Sequence, residues 1–209
     1  MNLAARGTET YLGTSHRFTE DAMVSLGSLL LPILIATVLV FVASFILWAV
    51  LPHHNWDWKG LPNEDEVMRT MRNGGVQPGQ YAIPHVPDKK QMKDAAVQQK
   101  FNDGPVGFLY VAPSGFPAMG GKIGTMFVFQ LVVTAAIAYI ASRVLGPHTQ
   151  YMRVFKFTAA VSFLAYGAAS IPGSIWFSRS WKGTFKELID ALVYAGLTAG
   201  TFGWLWPEA

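Results

Sequence analysis

The residues best equipped for chemistry lie in "LWAVLPHHNWDWKGLPNEDE", Leu47 to Glu66, where a greasy run gives way to His53, His54 and Asp57. Imidazole and carboxylate are ligands for zinc or copper, and His85 or the thioethers of Met68 and Met71 extend the same donor set. The spacing is not diagnostic of a metal site. Pro52 interrupts the helix that would place His53 and Asp57 on one face. Met68 and Met71 suit the packed side of an amphipathic helix. Polar residues among tryptophans just beyond an apolar run are also what a chain leaving a membrane contains, and that reading is preferred to a metal site. No cofactor is implied.

Asp190 and Glu187 are the second candidates, because an ionisable group inside an apolar helix is costly and is a functional suspect for that reason. Lys186 stands four residues before Asp190, so the two are expected to neutralise one another along one face. Acids in a first turn also meet the positive end of the helix dipole. Gln130 is a further polar group inside an apolar segment. Other reactive patterns are missing from the sequence. "GGKIG" lacks the complete phosphate-loop spacing, and Ser114 has no partnering histidine pattern. There is neither a pair of intramembrane aspartates nor an H-E-x-x-H. Zero cysteines removes disulfides, thiolate metal sites and a cysteine nucleophile.

Membrane spans are expected to hold these groups. The composition is 51% hydrophobic and 14% charged, which fits an integral membrane protein with some aqueous mass. The net charge of +3 is spread along the chain with no basic, aromatic-interleaved stripe, so nucleic acid is not an expected partner. The predicted fold is an all-α, four-span membrane protein. A polar segment occupies 1–25, and spans occupy 26–51, 123–145, 155–177 and 185–206. Between the first two spans, 52–122 forms a small extramembrane α/β cap. Each span exceeds the ~20 residues that cross a ~30 Å hydrocarbon layer, and backbone in lipid must satisfy its own hydrogen bonds as helix. Within the cap, "LPNEDEVMRTMRNGG" predicts a helix capped by Asn63. "QYAIPHV" and "PVGFLYVA" predict strands, and "DKKQMKDAAVQQKFNDG" a second helix.

The seven tryptophans fall at span ends, Trp48, Trp56 and Trp58 after the first, Trp176 and Trp181 after the third, Trp204 and Trp206 closing the fourth. Indoles favour the headgroup region, so all are assigned to the membrane interface. Gly196 and Gly200 form a G-x-x-x-G pair with Gly203 nearby, and Gly167 and Gly173 lie in the third span. Such residues let helices approach closely, and packing within the bundle is the expected use. Arg6, Arg17, Arg143, Arg153 and Lys156 against Arg179, Lys182 and Lys186 favour cytoplasmic termini and a periplasmic 52–122 insertion.

The runs "LPHHNWDWKGLPNEDEVM", "GPVGFLYVAPSG" and "GTFGWLWP" resemble bacterial inner-membrane proteins to which no activity is attached. That resemblance implies a cytoplasmic membrane location and brings no ligand or catalytic residue. The expectation is a non-catalytic accessory or structural subunit, contacting lipid and other membrane proteins or itself. A small transporter or channel is the alternative, and a metal-handling protein using His53 and His54 is the third reading.

Overall fold

The computed structural model describes residues 23–208, so most of the polar segment assigned to 1–25 lies outside the described residues. The chain is mostly helical. α1 spans Leu30–Phe45 and continues as a π-helical turn, Ile46–Val50, closed by a hydrogen bond from Leu51 N to the Ile46 carbonyl at 2.9 Å. A π turn is wider than an α turn, and here it directly precedes Pro52, which has no N–H to continue the ladder. A single 3₁₀ turn, Pro52–His54, then folds the chain back against the bundle.

The segment after it contains the four expected elements, with shifted bounds. α2 (Glu64–Asn73) has three acids in its first turn, Arg72 in its last and Gly74 beyond, as the helix dipole favours. The Asn63 side chain makes no cap hydrogen bond to the backbone, so the expected capping box does not form. β1 (Gly79–Ile83) pairs antiparallel with β2 (Gly107–Val111), Tyr81 opposite Leu109. The helix expected between them is broken. A 3₁₀ turn, Lys89–Lys93, ends at Asp94, whose extended backbone and carboxylate, accepting from Ala96 N at 2.9 Å, start α3 (Ala95–Asp103) afresh. Asp is a strong N-cap, and that local bond competes with helix continuation. Phe108 of β2 meets Phe177 edge-on, ring centroids 5.3 Å apart.

α4 (Met119–Val144) and α5 (Tyr151–Gly167) follow; α5 runs through a 3₁₀ turn, Ala168–Ser170, into α6 (Ile171–Trp176), and α7 is Trp181–Trp204. Pro172 sits in the first turn of α6, where its missing N–H costs little. Among the described residues, three helices are long and apolar enough to cross a membrane: Leu30–Val50, Met119–Val144 and Tyr151–Trp176. α7 is comparably long but carries Lys182, Lys186, Glu187 and Asp190. The helices begin at Met119, Tyr151 and Trp181, ahead of the expected 123, 155 and 185. Polar first turns, holding Lys122, Arg153 and Lys182, continue the helix beyond the apolar run by which the spans were recognised.

α5 lies along α7, and α1 packs against both α7 and α4. At one end the core is apolar, built from Leu29, Ile33, Ala36, Ala141, Leu145, Val154 and Phe202. Trp206 belongs to this core. Its indole is buried and donates to the Gly146 carbonyl at 2.9 Å, so it is not exposed at an interface as its position suggested. Large apolar side chains such as Leu34, Val38, Val128, Val132, Leu164 and Leu192 are exposed on the outer faces, the arrangement that suits a hydrocarbon surround.

Glycine use divides sharply. A Cβ on Gly167 would stand 3.0 Å from the Ala191 methyl, and one on Gly203 2.8 Å from the Tyr151 ring. Gly173 is covered by the Arg179 side chain. A Cβ on Gly196 or Gly200 would meet nothing within 4 Å among the described residues. The G-x-x-x-G pair therefore does not pack the bundle; it lines an outer apolar groove with Ile35, Leu39 and Trp204.

Candidate functional site: a histidine–aspartate centre at the end of the bundle

The 3₁₀ turn after Pro52 is the local feature that makes the site. It directs consecutive imidazoles toward α7, where Asp190, four residues beyond Lys186, faces inward. Each carboxylate oxygen of Asp190 meets a different ring. Oδ1 is 3.2 Å from His53 Nε2, and Oδ2 is 2.8 Å from His54 Nε2. Asp190 is only 2% exposed and His54 5%, so water cannot solvate these charges well and their partners must. The other nitrogen of His54, Nδ1, is 2.6 Å from Asp57 Oδ2. Asp57 Oδ1 in turn accepts from Lys186 Nζ at 2.5 Å, and the same ammonium donates to the His53 carbonyl.

The expected Lys186–Asp190 pair is thus not made. Both side chains point into the bundle, but the chain returning from α1 supplies better partners for each, Asp57 and a carbonyl for the ammonium and two imidazoles for the carboxylate. Glu187 is paired outward with Arg179. Trp48 lies flat on His54, centroids 3.8 Å apart and planes at 10°, and closes that side. This gives Trp48 a specific contact beyond the interfacial role expected from the sequence. Trp56, Trp58, Trp176, Trp181 and Trp204 are exposed.

The electrostatics follow from the contacts. Burial disfavours a charged His54, but hydrogen bonds and charge from Asp57 and Asp190 together outweigh it, and its pKa is raised above the ordinary histidine value. The hydrogen bond from Lys186, aided by His54 and opposed by burial, holds the Asp57 carboxyl below the usual carboxylate range. Lys186, Asp57, His54 and Asp190 thus form one continuous chain of contacts in which each carboxylate lies against a nitrogen group.

Among the described residues, His53, His54 and Asp190 form the group whose ligand atoms, all within 4.8 Å of one another, suit a metal ion. For bonds of ~2.0–2.2 Å in a tetrahedral shell, neighbouring donors stand about 3.3 Å apart. The 3.2 and 2.8 Å contacts are made by different Asp190 oxygens, so a carboxylate serving as a single ligand would turn one oxygen toward an ion placed between the two rings. Asp57 is not in this group, because it holds the far nitrogen of His54, the outer-sphere arrangement that fixes an imidazole tautomer for metal binding. His85, on the exposed segment after β1, is not brought to the centre. Gln130 is buried in α4 with its Oε1 lacking a partner among the described residues.

Sequence inspection singled out His53, His54, Asp57 and Asp190 but assigned them to two unrelated features. It missed Lys186 as the residue orienting Asp57. Comparison with protein-family models, with curated proteins and with solved structures finds no match.

Proposed function

We propose that this chain is a metal-handling membrane protein that holds a first-row divalent ion, zinc or copper, on His53, His54 and Asp190. The observation that carries the reading is the division of Asp190, one oxygen to each histidine, with Asp57 on the opposite nitrogen of His54. Two neutral imidazoles and one carboxylate are a borderline donor set that favours these ions over magnesium or calcium. Three protein ligands leave a fourth position for an exchangeable group, as sites that react or pass on their ion require. Metal and proton compete for His54, because the imidazole must be neutral to bind an ion.

In this reading α7 is a fourth span. Its charges gather in the first turns and are neutralised by partners from the α1 exit, which lowers the cost of placing them beside lipid. Cytoplasmic termini and a periplasmic 52–122 insertion in a bacterial inner membrane complete the proposed arrangement, and the centre then lies at the periplasmic boundary.

The test is elemental analysis of protein purified gently in detergent without added metal, followed by zinc and copper titration of the stripped protein. Near-stoichiometric metal in the wild type, lost when His53 and His54 are both replaced by Ala, supports the reading. A stripped protein that takes up neither ion at micromolar concentration overturns it.

One observation favours a second reading, the accessory subunit. α2 carries Val67, Met68 and Met71 on one face, yet none of its residues is buried among the described residues. An apolar helical stripe left only half-covered at Val67 and Met71, with Met68 exposed, fits a helix that docks on another protein. Co-purification at fixed stoichiometry, abolished by Met68→Asp, is the corresponding test.

A further inference from the structure

Beside the histidine–aspartate centre, on the far side of Asp57, lies a cleft of about 180 Å³. Its lining is chemically mixed: the indoles of Trp48 and Trp58, the carboxylates of Asp57 and Glu187, and Arg179 with Ser180. Gly183 forms part of its floor, close to the Asp57 carboxylate. We infer that this cleft binds a group carrying a primary ammonium next to a phosphate, the chemistry of a phosphoethanolamine headgroup.

Each half of that group has a counterpart. Indole faces attract cations, and two carboxylates beside them accept ammonium N–H bonds. Asp57 spends one oxygen on Lys186 and the other on His54, but a carboxylate oxygen accepts more than one hydrogen bond. Arg179 engages Glu187 through one nitrogen and is half exposed, so the rest of its five-donor fork is free to meet phosphate. Ser180 adds a hydroxyl. A purely anionic headgroup would face Asp57 and Glu187 with a single, already paired guanidinium, which is unfavourable. A trimethylated ammonium fits the indoles but has no N–H for the carboxylates.

Location identifies the source. The cleft joins the end of α1 to the start of α7, and Trp58, 86% exposed, stands at its mouth. This is the headgroup level if these helices span the bilayer, so a phospholipid is the expected carrier, and the same headgroup free in solution is the other possible source. The ligand atoms proposed to hold metal are not needed for this binding, so the two readings fail separately.

The experiment is native mass spectrometry of the full chain released from nanodiscs of equimolar phosphatidylethanolamine, phosphatidylglycerol and phosphatidylcholine. Retention of phosphatidylethanolamine at least fivefold above the other two is expected. Trp58→Ala and Arg179→Gln, both exposed positions, should each erase the preference while metal content and melting temperature stay at wild-type values. A parallel arm adds soluble phosphoethanolamine or inorganic phosphate. Displacement of retained lipid by phosphoethanolamine alone supports the paired chemistry. Equal retention of the three lipids, or a preference that survives both substitutions, overturns the inference, as does displacement by inorganic phosphate as effective as by phosphoethanolamine.

Discussion

Asp190 and His54, 136 positions apart in the chain, meet through a carboxylate–imidazole contact of 2.8 Å in a setting nearly closed to water. The contact ties the end of α1 to the first turns of α7. Two helices that share no sequence neighbourhood are thereby joined by charge at this end, while apolar packing concentrates at the other end of the bundle.

Replacing Asp190 by Asn keeps the shape and removes the charge that both histidines face. Breaking one partner out of a buried ionic group costs roughly 3–5 kcal/mol. The variant is expected to melt well below wild type in detergent and to retain no metal. An unchanged melting temperature would mean that the cluster does not hold α1 on α7.

Asp57 and Lys186 touch no proposed ion directly; they position His54. Outer partners of this kind typically change metal affinity 10–100-fold. Asp57→Asn and Lys186→Met are therefore expected to weaken zinc binding by about that factor, measured by competition with a chelating dye. The double variant should lose less than the sum of the two single losses, since Lys186 orients Asp57 and otherwise reaches the site only through the His53 carbonyl. Additive losses in the double variant would show that Lys186 acts on the site by another route.

Why these partners escaped sequence inspection is a matter of local backbone. The long apolar helices were legible because ~20 apolar residues in lipid have few alternatives to helix. His53, His54 and Asp190 were each visible as unusual residues. Their meeting depends on a π turn at Ile46–Val50 and a 3₁₀ turn at Pro52–His54, and neither has a residue pattern that sets it apart from a frayed helix end. Proximity along the helix pointed to Lys186–Asp190, whereas the returning chain offered both groups better partners. Trp206 shows the same limit. Its place just beyond a long helix is readable, but the carbonyl of Gly146 that draws its indole inward belongs to a distant turn.

The glycines separate close helix contact from mere smallness. Gly167 faces the Ala191 methyl and a Leu188 methyl, at 3.0 and 3.2 Å from a Cβ placed there. Ala191 Cβ is fixed to the α7 backbone, so a larger residue must push α5 and α7 apart. Gly167→Leu is expected to destabilise by about 1–3 kcal/mol, the usual cost of overpacking. Gly196→Leu and Gly200→Leu enter an open groove and should stay within roughly 0.5 kcal/mol of wild type. Thermal unfolding of the three variants in the same detergent checks the order, and a Gly196 or Gly200 variant as damaged as Gly167→Leu would refute it.

The α6–α7 turn is held by a pair of buried hydroxyls. Ser174 Oγ and Thr184 Oγ1 lie 2.5 Å apart, both buried, and this bond anchors the start of α7 only six residues before Asp190. Thr184→Val removes one hydroxyl and leaves the Ser174 hydroxyl to find a carbonyl in its own helix or go unpaired. A buried unpaired hydroxyl costs about 1–3 kcal/mol, whereas removing both partners is closer to neutral. Thr184→Val alone should therefore be less stable than the Ser174→Ala, Thr184→Val pair. Because the bond sets where α7 begins, the single variant should also bind zinc more weakly, and the double variant should recover part of that loss. If the double variant is instead the less stable of the two by thermal unfolding, the two hydroxyls contribute independently and the pairing is not what fixes the start of α7.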